Sequence, residues 1–261
     1  MENGVGSRSW HVGTPIAMTH QLHQYLGGKI FLDIDESPMM RARIEGTYEP
    51  FKTRMIQRLL QPGMTYVDIG TNKGYFAVLA ARLLHGTGQV LAFEPEPWNC
   101  RCVRHSIDAN AYANIRLFEL AVGDANKVAS LHLGNKSGWH SILPNLPQCG
   151  RDTIEVQQRC LDSILDELEV TQVDVVKIDV EGVELRVLDG ARETLTRNSD
   201  IVLLMDLHPY LGTSSIAVCD FLQDLGFQLY EMNPPHRSLA VSEGITVLYA
   251  ARRAPGTRRN E

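Results

Sequence analysis

The sequence predicts an α/β protein with a Rossmann-like open sheet and helices on both of its faces. Three observations carry this reading. Short β-prone runs alternate with stretches of helical period along much of the chain. One run, Tyr66-Val67-Asp68-Ile69, stops at a glycine turn, and a helix opens behind it with Phe76, Leu79, Ala80 and Leu83 on one face. Two later runs, Val173–Ile178 and Ile201–Met205, end in charge. Ligands of open α/β sheets bind at the carboxyl ends of the strands.

The glycine turn narrows the class of ligand. Gly70 can take a backbone angle that other residues resist, and the helix start behind it presents unpaired N–H groups. A dinucleotide fingerprint would need glycines at 70, 72 and 75, but Asn72 and Tyr75 stand there. The G-K-[ST] of a phosphate loop is absent. What remains is acid-x-Gly-x-x-x-Gly. It is similar to the first motif of class I S-adenosylmethionine (SAM) methyltransferases, whose cofactor has no pyrophosphate.

Composition bounds the rest. The chain has 261 residues, 25 basic and 31 acidic, for a net charge of −6. That balance argues against a general nucleic-acid binder. We expect an N-terminal extension or cap over residues 1–60, one domain over 61–252, and a disordered basic tail over 253–261; Arg252, Arg253, Arg258 and Arg259 are read together as a solvated basic end. The five cysteines make no C-x-x-C pair, and reduced thiols in a cytosolic protein fit them best. There is no apolar signal-peptide core, and Ile201–Met205 is too short to cross a bilayer. These features point to a soluble cytoplasmic protein without nucleic-acid or membrane partners. A homo-oligomer is compatible with them.

The elements follow in order. Ile30-Phe31-Leu32 runs as a short strand into Asp33. Gly46–Pro50 leads into a helix with Phe51, Met55, Ile56, Leu59 and Leu60, stopped by Gln61-Pro62-Gly63. After the turn helix, the second strand is Gln89–Phe93, ending at Glu94-Pro95. An acid at that place can accept from both ribose hydroxyls, each bond worth about 1.5–3 kcal/mol. A helix spans Pro97–Asn110, a third strand Ile115–Phe118, and Leu120–Asp124 forms a loop of small residues suited to a flat ring. Strands at 128–133 and 153–159 flank a long loop, 134–150, with Trp139, His140 and Ser141, read as a substrate-side insertion. Val173–Ile178 runs into Asp179-Val180-Glu181-Gly182, with a helix behind it carrying Leu188, Ala191 and Leu195. Ile201–Met205 ends in Asp206-Leu207-His208-Pro209, followed by a helix with Val218, Phe221, Leu222 and Leu225. Residues 227–231 and 245–250 make a closing strand pair.

Seven segments together resemble the FkbM family of SAM-dependent methyltransferases. They are G-T-Y-E-P at 46–50, V-D-I-G-T-N-K-G-Y-F at 67–76, F-E-P at 93–95, N-A-Y-A-N at 110–114, A-V-G-D at 121–124, L-D-S-I at 161–164 and K-I-D-V-E-G-V-E at 177–184. The resemblance implies the class I methyltransferase fold, a mixed seven-stranded sheet. It also implies SAM as methyl donor and O-methylation of a hydroxyl on a sugar or natural product of secondary metabolism. By that similarity Asp68, Gly70, Asn72 and Gly74 frame the methionine end. Tyr75 and Phe76 are placed to face the sulfonium cation, with core packing the favoured reading for Phe76. Glu94 holds ribose, and Ala121 and Val122 flank adenine. Glu49, Pro95 and Asp179 are counted among the cofactor residues. The chain departs from the family at Thr71, often Ala, and at Asp206, often Glu.

Asp179 and His208 are expected to bracket the acceptor hydroxyl, with His208 the base because an ordinary imidazole titrates near neutrality. Lys177 and Glu181 read as a strand-end pair. In one alternative, Asp179, Asp206 and His208 hold a divalent cation, as the acids of catechol-type O-methyltransferases do. Two other classes stay open. A nicotinamide oxidoreductase is disfavoured by the missing glycines. A SAM-fold binding module without catalysis is disfavoured by the intact Asp68, Glu94 and Asp179.

Overall fold

A computed structural model describes residues 20–33 and 38–253. The tail arginines Arg258 and Arg259 lie outside the described residues, as do residues 1–19 of the extension. Two of the arginines expected in a solvated end are instead held: Arg252 donates to Leu225 O, Asn198 O and Leu195 O, and Arg253 pairs with Asp200 at 3.0 Å.

The chain opens with β1 (His20–Tyr25), β2 (Gly28–Asp33), α1 (Pro38–Ile44) and α2 (Pro50–Leu59). It continues through β3 (Thr65–Ile69), α3 (Tyr75–Leu83), β4 (Gln89–Phe93), α4 (Pro97–Asn110) and β5 (Ile115–Phe118). A small excursion follows: β6 (Ala121–Val122), β7 (Lys127–Gly134) and β8 (Cys149–Arg159). The second half holds α5 (Leu161–Glu167), β9 (Val175–Ile178), α6 (Glu184–Asp189), α7 (Arg192–Arg197) and β10 (Val202–Asp206). It closes with α8 (Ser215–Asp224), β11 (Gln228–Tyr230) and β12 (Val247–Ala251).

The seven-stranded mixed sheet has the order β11-β12-β10-β9-β3-β4-β5. Strands β10, β9, β3, β4 and β5 run parallel, and β12 is antiparallel to both neighbours. This is the architecture expected. Alternation along each strand builds a core on either face. Val67, Leu91, Val176 and Leu203 join one buried cluster with Leu165, Leu188 and Leu222 of the helices. Tyr66, Val90, Val175 and Leu204 join another with Leu79 and Ile56.

The extension shares that second core. Tyr25, Ile30 and Leu32 are buried in it, so the β1–β2 hairpin packs on the domain and not beside it. Two side chains of α4 hold β2: Asn110 Oδ1 accepts from Lys29 N at 2.7 Å and Ser106 Oγ from Phe31 N at 2.9 Å. The sequence marks β2 by its apolar run. It does not mark β1, whose composition is polar.

Local chemistry sets several boundaries. Glu96 caps α4 by accepting from Trp98 N and Asn99 N, with Pro97 in the first turn. The helix expected through Leu188 and Leu195 is divided at Gly190 into α6 and α7. A Cβ there would lie 1.9 Å from Gly123 O, so the backbone of β6's turn presses directly on it. Ala121-Val122, expected in a loop, pairs with β8 as a short strand. Among the described residues no helix is long and apolar enough to cross a membrane.

Parallel pairing brings four strand ends to one edge. Gly70 N and Thr71 N donate to Phe93 O at 3.0 Å, and Asp179 N donates to Ile69 O at 3.1 Å. Gly70 has φ +74°, and a Cβ on it would stand 1.9 Å from Asp179 O. The turn after β3 therefore touches the turn after β9. Gly63 also has a positive φ, +88°, but open space around it. Gly63→Ala is expected to cost about 1 kcal/mol from backbone strain alone. Gly70→Ala is expected to cost about 3 kcal/mol or more, because backbone must move as well. Urea denaturation of both variants checks this; equal losses would refute the close approach.

Candidate active site

A cavity of about 170 Å³ opens at this edge. Its floor is Gly70 and Asn72 of the first turn, Glu94 and Pro95 after β4, and Asp179, Val180 and Glu181 after β9. Leu120, Ala121, Val122, Leu131 and Ile142 make an apolar wall. Ser137 to Ile142, from the β7–β8 loop, cover one side, and Arg43 and Tyr48 of the extension close another.

One lysine underlies the floor. Lys177 Nζ, buried, donates to Gly70 O at 2.7 Å and lies 3.3 Å from Asp68 Oδ1 and 3.7 Å from Asp179 Oδ2. Burial alone would lower its pKa, but the two carboxylates raise it, so it stays charged. Asp68 Oδ2 also accepts from Thr71 Oγ1 at 2.7 Å, which shapes the turn from beneath.

Glu94 is buried at the cavity's other end. Its Oε2 accepts from Asn72 N at 2.8 Å, and Oε1 accepts from Glu96 N at 3.1 Å and Asn99 Nδ2 at 3.2 Å. Burial pushes its carboxyl up to about 7 against the pull of these donors. The covering loop is tied to the same place, since Ser137 O accepts from Asn72 Nδ2 and Asn99 Nδ2.

At the β9 end four titratable groups meet. His208 Nδ1 lies 2.6 Å from Glu184 Oε1, while Nε2 lies 3.8 Å from Asp179 Oδ1 and 3.6 Å from Glu181 Oε1. Burial would lower the imidazole pKa. The bond to Glu184 and the charges of Glu181 and Asp179 outweigh it and raise His208 to about 9. Burial pushes Glu181 up to about 7 against the attraction of His208. Asp179 is held below the usual range, because Lys177, Lys52 and His208 outweigh its burial. Glu181 also sits at φ +52°, a left-handed conformation rare for this residue type, and Ser141 Oγ donates to its carbonyl at 2.8 Å.

The methyltransferase FkbM domain family matches residues 68–229. The chain belongs to this family. It is an S-adenosylmethionine-dependent methyltransferase. The 2-O-methyltransferase NoeI of Sinorhizobium fredii is 26% identical over 197 residues, covering 68% of this chain and 79% of that protein. The 31-O-demethyl-FK506 methyltransferase FkbM of Streptomyces tacrolimicus is 29% identical over 163 residues, 51% of this chain and 62% of its own length. A SAM dependent methyltransferase from Aquifex aeolicus superposes with a TM-score of 0.45 at 13% identity, covering 83% of this chain and 97% of that one.

In this methyltransferase the expected site residues divide. Gly70, Asn72, Glu94, Pro95, Ala121, Val122 and Asp179 line the cavity. Asp68 does not; it is fully buried, and its work is on Lys177 and Thr71. Gly74 caps α3 at φ +86° against Val103. Tyr75 and Phe76 are core residues, packed with Tyr25 and Tyr48. The Phe76 ring meets two protein cations, Lys52 at 5.5 Å and Lys177 at 5.9 Å, where a sulfonium was expected. Glu49 points to Lys52 and is absent from the lining.

Three expectations of charge need correction. His208 stands behind the lining and is protonated at neutral pH, which removes the ground for making it the base. Lys177 pairs with Asp68 and Asp179, not Glu181. Asp206 leaves the expected cation trio because buried Lys52 of α2 pairs with it; Asp179, Glu181 and His208 instead have ligand atoms within 4.8 Å of one another. The sequence reading missed Arg43 and Tyr48 as wall residues. Tyr48 lies inside a motif of the family resemblance, whereas Arg43 has no local signal at all.

The raised pKa of His208 links the cluster to stability. Its folded value, about 9, exceeds the ordinary 6.5, so its contribution is full below 6.5 and is lost as pH rises through 9. The gap in thermal midpoint between the protein and His208→Gln is expected to be widest near pH 6 and to shrink by pH 10. A gap that widens toward pH 10 would refute the protonated imidazole.

Proposed function

We propose that the protein transfers the SAM methyl group to a hydroxyl oxygen of a small molecule, of the sugar or natural-product class. The observation that carries this is one cavity with a buried carboxylate at one end and two proton acceptors, Asp179 and Glu181, at the other. The names of the relatives, a 2-O-methyltransferase and a 31-O-demethyl-FK506 methyltransferase, support oxygen as the acceptor atom.

The lining fits the cofactor. Ala121, Val122, Leu131 and Ile142 offer an apolar slot for a purine, and the acids suit a nucleoside bearing a positive sulfur. Glu94 is held by three N–H donors in an orientation from which it accepts ribose hydroxyls. When bound, SAM supplies an electrophilic methyl group. The protein's part is to align the oxygen, and positioning can contribute up to about 7–11 kcal/mol. Asp179, ionised, and Glu181 hold the acceptor hydroxyl. Glu181 takes the proton, since a base titrating near 7 suits transfer at neutral pH. His208 is a positioning residue: its charge keeps Glu181 from rising further. The described part of the extension acts as a cap through Arg43 and Tyr48, and the five unpaired cysteines support a reducing, cytoplasmic setting.

One observation favours a second reading. Asp179, Glu181 and His208, with Glu184 against the imidazole, have ligand atoms close enough together to offer a donor set to a divalent cation. Activity lost to a chelator and restored by magnesium or manganese would replace the proton-transfer role with a metal one. Activity indifferent to chelation leaves Glu181 as base.

Glu181→Gln is expected to lower kcat about 10²–10⁴-fold. His208→Ala is expected to move the acid limb of kcat/KM upward from about 7, because removing a nearby cation raises the Glu181 pKa. Glu94→Ala is expected to weaken binding of S-adenosylhomocysteine at least about 10-fold by calorimetry. Glu181→Gln at the parental rate, or unchanged affinity in Glu94→Ala, sinks the corresponding role.

A further inference from the structure

Next to the acids of the site, but outside the cavity lining, stands a short 3-10 turn, Pro209–Leu211, that follows β10. It is firmly mounted. His208, Leu211 and Thr213 are buried, and Thr213 Oγ1 donates to Gly182 O. A Cβ on Gly182 would stand 2.9 Å from Leu211 Cβ and 3.0 Å from Leu143 Cδ1. The turn and the covering loop thus both press on the backbone next to Glu181. Tyr210, between the buried His208 and Leu211, is 73% exposed, the highest value for a large apolar side chain among the described residues.

An exposed aromatic ring is ordinary by itself. The neighbours of this one are not. Its centroid lies 5.8 Å from that of the His208 ring, edge to face at 76°. The His208 Nε2 lies 3.6 Å from Glu181 Oε1 and 3.8 Å from Asp179 Oδ1. One imidazole therefore separates Tyr210 from the two acids that the proposed function assigns to the acceptor hydroxyl. Partial burial, followed by the charges of Glu181, Asp179, Glu184 and Asp206, raises the Tyr210 pKa, so the field of four carboxylates reaches its ring. Three of those acids are open to a ligand: Asp179 is 26% exposed, Asp206 18% and Glu181 16%.

A fixed aromatic ring beside carboxylates offers two complementary contacts. Its face takes apolar C–H groups, and the carboxylates accept from hydroxyls. A saturated six-membered ring with hydroxyls on its rim presents both, whether it is a pyranose or a carbocyclic polyol. The same carboxylates repel an acidic group on such a ring. We propose that Tyr210 is the acceptor-binding platform of this methyltransferase, taking one C–H face of an uncharged, hydroxylated six-membered ring so that its hydroxyl meets Asp179 and Glu181. Selection then has two parts, with Tyr210 reading the ring and the acids rejecting negative charge. This deepens the SAM reading of the site and rests on it.

Binding measured by NMR titration of protein saturated with S-adenosylhomocysteine tests the platform. The probes are methyl glucopyranoside, trans-1,2-cyclohexanediol and the anionic methyl glucopyranosiduronate. At least one neutral probe is expected to bind, about 10-fold or more tightly than the uronate. Binding of the glycoside alone assigns a sugar, and of the diol alone a carbocycle. Tyr210→Ala is expected to weaken neutral-probe binding about 10-fold while S-adenosylhomocysteine affinity stays within about 2-fold. Tyr210→Phe, which keeps the ring, is expected to stay within about 2-fold on both. No binding of either neutral probe would overturn the proposal, as would a uronate bound equally well. So would parental affinity in Tyr210→Ala, or a loss in Tyr210→Phe as large as in Tyr210→Ala. A parental protein that does not bind S-adenosylhomocysteine would instead remove the SAM reading, and the platform with it.

Discussion

Lys177 is the charge on which the site's geometry depends. A buried ammonium must be compensated nearby, and here the partners are the Gly70 carbonyl, Asp68 and Asp179. Gly70 belongs to the turn after β3, Asp68 to β3 itself and Asp179 to the turn after β9. One desolvated cation therefore sets the distance between two turns that the sheet alone would only bring to the same edge. The absent side chain at Gly70 lets them approach until backbone meets backbone. Because the ammonium consumes much of the charge of Asp68, that acid stabilises the floor without reaching the cavity.

A second buried lysine does for the extension what Lys177 does for the turns. Lys52, on α2, pairs with Glu49 beside it and with Asp206 at the end of β10. The pairing ties the extension to the strand edge at the side where His208 and Glu181 meet. Phe76 lies between the two lysines and presents its ring to both. Of the acids that face the cavity, Glu94, Asp179 and Glu181, Asp179 is the one that a lysine approaches among the described residues. Their raised or lowered pKa values follow from that division: Asp179 shares a lysine and stays ionised, whereas Glu181 has only an imidazolium and titrates near 7.

The strands and most helices were legible because their signal is local. Period-two alternation and the stops at Gly70, Glu94, Asp179 and Asp206 name the sheet's strands, and α4 runs over the expected Pro97–Asn110. Polar β1 was illegible because its partner β2 and its buried Tyr25 are what make it a strand. The break between α6 and α7 was illegible because its cause is Gly123, far away in the chain. Within the site, glycine, acid and small-residue motifs marked most of the floor and the apolar wall. They did not separate Asp68 from Asp179, since both are acids at the ends of parallel strands and differ only in which way the side chain points.

The sequence by itself determined that this is a sheet of parallel strands with a glycine turn after the first, acids at the strand ends and the motif order of a methyltransferase family. Those properties are written in residue type and short spacing. Only the tertiary structure decided which acids face the cavity, that His208 is held as a cation, and that Arg43 enters the wall. Each of these is set by burial and by charges brought together from distant parts of the chain, and neither quantity exists until the chain has folded.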